Sequence, residues 1–211
     1  MVFFFTASDG SMIYMGKDKY ENELLIKYGW PEDVWFHVDN LSSAHVYLRT
    51  KKSPPDLSKI DAKVLEECGQ LVKWNSIQGK KESRVKVVYT PWSNLLKRKS
   101  MEVGQVSFHS ERERRLFKVN TDREIVRSLM KTQKEKYPDL EKQKLRRDKE
   151  QQKRKKQFAR QKAKEAAEKR REAEIQKKIM SYDDMFNDDD LAMTNQDLIG
   201  VTYEEFEDDF M

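Results

Sequence analysis

The chain has 211 residues, with 42 Lys and Arg against 37 Asp and Glu, and one cysteine. A single cysteine excludes an intramolecular disulfide and any zinc site built on several cysteines, which suits a reducing compartment. The net charge of +5 hides three zones: residues 1–130 hold 22 basic and 17 acidic side chains, residues 131–180 hold 20 and 9, and residues 181–211 hold none and 11. A mildly basic body, a strongly basic rod and an acidic tail form an asymmetry associated with nucleic acid or with interaction tails.

Residues 2–7 and 12–16 read as two short strands joined by Ser8-Asp9-Gly10-Ser11, whose Asp-Gly pair signals a hairpin. Met1 to Phe5 is apolar but lacks the basic flank and length of a signal peptide. No window supplies the roughly 20 apolar residues needed to cross a bilayer. A soluble protein of the cytoplasm is expected, with the nucleus as the alternative.

Residues 17–27 suggest a helix with Leu24, Leu25 and Tyr28 inward, ended by Gly29 and Pro31. Lys17, Lys19 and Tyr20 stand at its entrance, where free backbone amides and the helix dipole would reinforce two lysines in holding a phosphate. A solvated first turn is the plainer alternative.

Residues 33–38 and 45–49 concentrate aromatic, imidazole and basic groups. Period-two alternation puts Val34, Phe36, Val38, Val46 and Leu48 on one face of paired strands. The other face then carries Trp35, His37, His45, Tyr47 and Arg49. Flat rings interleaved with cations suit a stacked base and its phosphate. His37 and His45 would need Asp33, Asp39 or His109 to complete a zinc site, and hydrogen-bonded structural histidines are the third reading.

Lys51-Lys52-Ser53-Pro54-Pro55 reads as a loop. Asp61 is placed to cap a helix running to Asn75, with Val64, Leu65, Cys68, Leu71 and Val72 as its buried stripe. Cys68 within that stripe is a small hydrophobe. Residues 84–90, 103–109 and 115–119 are predicted to complete the sheet, with a bend at Gly104. Thr121 and Glu124 suggest a capping box for a last helix carrying Ile125, Val126, Leu129 and Met130.

The expected architecture is α+β: a mixed or antiparallel sheet with flanking helices over residues 1–135, then a basic rod over 139–180 and a disordered acidic tail over 181–211. Between Asp139 and Met180 there is neither Gly nor Pro, so a continuous helix there would reach about 63 Å. Leu140, Leu145, Phe158, Ile175 and Ile179 keep no heptad register, which favours a lone solvated helix over a coiled coil. The tail still carries Tyr182, Met185, Phe186, Tyr203, Phe206 and Phe210, anchors that a purely solvating segment would not need.

No Gly-rich phosphate loop, HExxH, GxSxG or Cys-His zinc spacing is present, so neither a defined reaction nor a cofactor is expected. The leading expectation is nucleic-acid binding, RNA before DNA, through Lys17, Lys19, Tyr20, Trp35, His37, His45 and Arg49, with the rod adding phosphate contacts. The rival is a protein-interaction adaptor, or a DNA-sensing or DNA-binding protein, using rod and tail. Opposite charges on rod and tail also suggest that the tail mimics a polyanion and reduces binding.

Six motifs occur in a telling order: Tyr14-Met15-Gly16-Lys17, Asp33-Val34-Trp35-Phe36-His37, Ser43-Ala44-His45-Val46-Tyr47-Leu48, Asn75-Ser76, Val87-Val88-Tyr89-Thr90 and Val103-Gly104-Gln105-Val106. In this they resemble the NFACT-R domain of ribosome-quality-control factors that bind stalled large subunits. The resemblance covers about residues 1–135. It implies an α+β RNA-binding module without established catalysis and a partner in the ribosome, its RNA or tRNA. It also places Lys17, Asp33, Trp35, His37 and His45 in the most characteristic motifs.

Overall fold

The computed structural model describes residues 1–51 and 53–186, the side chains of residues 181–186 excepted. The elements in chain order are β1 (Val2–Thr6), β2 (Met12–Gly16), α1 (Lys19–Tyr28), β3 (Asp33–Val38), β4 (Val46–Arg49), α2 (Ala62–Trp74), β5 (Arg84–Pro91), β6 (Leu95–Leu96), β7 (Ser107–Phe108), β8 (Arg115–Asn120), α3 (Arg123–Lys131), β9 (Lys134–Lys136) and α4 (Leu140–Phe186). Seven strands form one antiparallel sheet in the order β8-β5-β3-β4-β2-β1-β9, while β6 and β7 pair separately.

The predicted hairpin is present, with Val2 opposite Gly16 and Phe5 opposite Ile13. Gly10 takes the positive φ of 81° that the turn needs, and Asp9 accepts from the Ser11 amide at 2.8 Å. The β3–β4 register sets Val34 against Leu48 and Phe36 against Val46. These four side chains join Ile13, Val87 and Val119 under α2, which contributes Val64, Cys68, Leu71 and Val72, and α3, which contributes Leu129. One face of the sheet thus follows from the period-two pattern.

The opposite face corrects the sequence expectation. Trp35 and Tyr47 do share it, but they are 2% and 0% exposed. They pack with Val2, Tyr14, Leu25 and Val88 beneath Trp92, Leu95, Val106 and Phe108. The sheet is therefore covered on both sides, by α2 and α3 on one and by α1 with the β6–β7 segment on the other. A half-buried strand pattern arises here because the second layer buries aromatic and polar groups whose N–H and O–H find partners.

Other boundaries also move. Residues 103–109 contribute only Ser107–Phe108 as strand, outside the main sheet, because the chain turns at Gly104 with φ 87°. In α1 the inward residues are Asn22, Leu25 and Ile26, while Leu24 is 43% exposed. The cap of α3 is Asp122, which accepts from the Glu124 and Ile125 amides, while Thr121 receives the ammonium of Lys73 at 2.6 Å. Strand β9, unpredicted from sequence, pairs Val2 with Lys136 and Phe4 with Lys134 on the edge of β1.

Residues Met1–Lys149 form one compact unit, which includes the first turns of α4. Within it, Arg147 pairs with Glu32 and lies over the Trp30 ring at 5.1 Å, and Lys144 lies over the Trp92 ring at 4.8 Å. The second unit, Glu150–Met211, is helical as far as Phe186, with every residue from 152 to 180 exposed. Helical backbone thus continues six residues past the predicted boundary. The rest of the expected acidic tail, residues 187–211, lies outside the described residues. At 47 residues, α4 spans about 70 Å. Among the described residues no helix is long and apolar enough to cross a membrane.

Candidate nucleic-acid interface

Four residues singled out by the sequence, Lys17, Lys19, His37 and His45, line one cleft of about 730 Å3. Its other walls include Gly16, Asp18, Asn22, Ser43, Asn75, Ile77, Val103 and Gly104. The end of β2, the first turn of α1, the β3–β4 connection, the C-terminus of α2 and the 103–105 turn converge there.

The entrance to α1 differs from the expected open amides. Asp18 is the N-cap, and its Oδ1 accepts from the Tyr20 and Glu21 amides, both at 2.9 Å. Those bonds, the one from Glu21 foremost, hold the Asp18 carboxyl below the usual range. The amides are therefore engaged, and the cationic character of the turn rests on Lys17 and Lys19. Both are exposed, and neither forms an ion pair among the described residues. Gly16 permits the tight approach of β2 to α1, since a Cβ there would stand 3.0 Å from the Asn22 amide nitrogen.

His45 accepts the indole N–H of Trp35 at Nδ1, 2.8 Å away, so its remaining proton belongs on Nε2. Burial, with His37 next in weight, lowers its pKa to about 3. The ring is neutral at physiological pH. His37 stacks on Trp35 at 5.5 Å and meets the His45 ring edge-on at 4.8 Å. Its Nδ1 is 2.7 Å from the Val38 carbonyl, and burial lowers its pKa as well. Trp35 is thus a buried support for both imidazoles.

Besides Trp35, two predicted residues lie outside the cleft lining. Tyr20 is 65% exposed beside it, its ring 5.4 Å from the Lys19 ammonium. Arg49 belongs to a separate network: its guanidinium donates to both Asp33 oxygens at 2.9 and 3.1 Å and covers the Trp30 ring at 3.6 Å. Asp33 also accepts from the Tyr14 hydroxyl at 2.6 Å and the Trp30 amide at 2.8 Å. Asp33, weighed above as a metal ligand, is therefore committed to structural partners. Among the described residues no group of three or more His, Cys, Asp or Glu is placed to hold a metal.

Asn22, Ile77, Val103 and Gly104 were not assigned to the site from sequence. Asn22 stands in register with Leu25 and Ile26, and a polar residue on an inward helical stripe is the signal that could have found it. It is 5% exposed; its Oδ1 accepts from the Tyr47 hydroxyl at 3.0 Å, and its Nδ2 has no hydrogen-bond partner among the described residues. The 97–105 segment is held to α1 by Glu23, which accepts from the Gly104 amide and the Lys97 ammonium, both at 2.6 Å.

The NFACT protein RNA binding domain matches residues 1–110. The chain is 56% identical to coiled-coil domain-containing protein 25 of Danio rerio over 153 residues, 71% of this chain and 73% of that protein. It is 37% identical to the Rqc2 homolog RqcH of Streptococcus pneumoniae over 60 residues, 28% of this chain and 11% of that one. The C-terminal part of the fibronectin/fibrinogen-binding protein of Streptococcus suis shares the fold, with TM-score 0.50 and 20% identity over 60% of this chain and 48% of that chain. By the domain it contains and by a relative matched over most of both lengths, this chain belongs to the NFACT-R family.

Proposed function

We propose that this protein binds RNA without catalysis, using the cleft lined by Lys17, Lys19, His37 and His45 together with the exposed cations of α4. The observation that carries the reading is the convergence of two exposed lysines with two neutral imidazoles in one concavity. Fixed positive charge at a mouth attracts a polyanion, and neutral donors and acceptors inside can contact bases and sugars without repelling them. The family's RNA-binding description and the relation to RqcH favour RNA over DNA, and a ribosome or its RNA as the destination.

The test is anisotropy of a labelled RNA titrated with the full chain at several salt concentrations. Each phosphate neutralised on a single strand contributes about 0.7 to the slope of log affinity against log salt. A steep slope is expected, reduced by joint Lys17→Glu and Lys19→Glu substitution. Flat salt dependence, or unchanged binding in that variant, refutes the reading.

A further inference from the structure

The cleft that holds Lys17 and Lys19 has two chemically distinct parts. At its mouth both lysines are exposed, and so are two apolar side chains: Ile77 is 81% exposed and Val103 44%. The one carboxylate among the described lining residues, Asp18, caps α1 through Oδ1, which accepts from the amides of Tyr20 and Glu21. Ile77 follows the C-terminus of α2, where no core position requires it.

The interior is polar yet carries no fixed charge. His45 and His37 are held neutral by burial. The Ser43 hydroxyl accepts from the Val38 amide at 3.0 Å and donates to the Ala44 carbonyl at 3.2 Å. Asn75 spends its amide nitrogen on the Leu71 carbonyl at 2.8 Å. Asn22 Nδ2 is the one buried side-chain polar atom without a partner among the described residues. A buried orphan donor costs about 1–3 kcal/mol unless something supplies an acceptor.

These parts ask for different chemistry from one ligand. A cation pair takes a phosphate, exposed aliphatic groups take a flat apolar face, and an unpaired amide takes a ring nitrogen or an exocyclic carbonyl. A paired duplex offers the first and withholds the other two, because its bases are stacked and their edges engaged. An unpaired nucleotide offers all three. The volume also falls within the range of small-ligand pockets, roughly 300–1,000 Å3.

We infer that the cleft receives the base of one unpaired nucleotide, its faces against Ile77 and Val103, its edge toward Asn22, and its phosphate at Lys17 and Lys19. This rests on the RNA-binding reading and narrows it to single-stranded or extruded sites. Cations of α4 neutralise phosphates of either form and gain more, if anything, on a duplex, whose charge is denser, so a preference for the single strand belongs to the cleft.

The experiment compares a short single-stranded RNA with a fully paired hairpin of the same length, each titrated with the full chain at low and moderate salt. The single strand is expected to bind about tenfold more tightly at moderate salt, the gain from burying roughly 60 Å2 of apolar surface between one base and two aliphatic side chains. Joint Ile77→Ser and Val103→Ser substitution changes no charge at two exposed positions; it should shrink the preference to within about twofold while thermal unfolding stays the same. Equal affinity of the native chain for strand and hairpin, or a preference that survives the serine variant, overturns the inference and leaves RNA binding standing. Failure of both RNAs to bind in a salt-dependent way refutes the broader reading instead.

Discussion

The indole nitrogen of Trp35 donates to Nδ1 of His45 at 2.8 Å, with both side chains buried. This bond needs a lone pair on Nδ1, so it is made only while His45 lacks a second proton. Burial adds to the same preference, and the folded pKa falls to about 3 against an ordinary value of 6.5. Between these values the unfolded chain binds the proton and the folded chain does not. Stability from His45 is therefore full above pH 6.5 and declines as pH falls towards 3, by about 1.4 kcal/mol per unit at most. His37, lowered in the same direction, steepens the loss. Urea unfolding between pH 7 and pH 5 should show this decline. A His45→Asn variant, which retains an acceptor for Trp35 without titrating, should show a flatter one.

Arg49 separates structural from ligand-binding cations. Asp33 is fully buried and accepts from Arg49, Tyr14 and Trp30. Arg49→Ala leaves that carboxylate without its cation and is expected to cost about 3 kcal/mol or more in chemical unfolding. Lysine should not rescue it, since a single ammonium cannot reproduce a forked contact to both oxygens while lying over Trp30. A stability loss of that size would show that Arg49 belongs to the scaffold; an RNA-affinity loss with stability intact would return it to the interface.

Gly69 inverts the usual helix rule. Alanine within a helix is normally about 1 kcal/mol better than glycine. A Cβ at Gly69 would stand 2.6 Å from Val119 Cγ2 and 2.9 Å from Phe117 Cζ, where α2 crosses β8. Gly69→Ala is thus expected to destabilise by about 1–3 kcal/mol. A raised melting temperature would show that α2 can shift outward freely.

The run Lys153, Arg154, Lys155 and Lys156 lies on the exposed part of α4. Changing all four to Gln should reduce the salt slope of RNA binding by up to about 3, the sum expected from four phosphate contacts. It should leave unfolding of the compact unit unchanged within about 0.5 kcal/mol. An unaltered slope would remove this stretch from the RNA path and favour a protein partner for it.

Much of the fold was legible because it rests on local rules. The Asp9-Gly10 turn, the Asp61 cap and the alternation of Val34, Phe36 and Val38 are set by a few neighbouring residues. The long charged helix followed likewise from the lack of any breaker after Pro138. Family membership came from motif order, which folding does not alter.

What only the tertiary structure decided is which polar groups face water. Alternation put Trp35, His37, His45, Tyr47 and Arg49 on one side of a sheet, yet a second layer built from distant residues, Leu25 in α1 with Trp92 and Phe108, covers Trp35 and Tyr47. Arg49 was captured by Asp33, while the lysines of a turn and the imidazoles of a strand pair were gathered into one cleft with Ile77 and Val103. Periodicity along a strand reports which side chains share a face. Whether that face is solvent or core depends on contacts far apart in the chain, which no local pattern encodes.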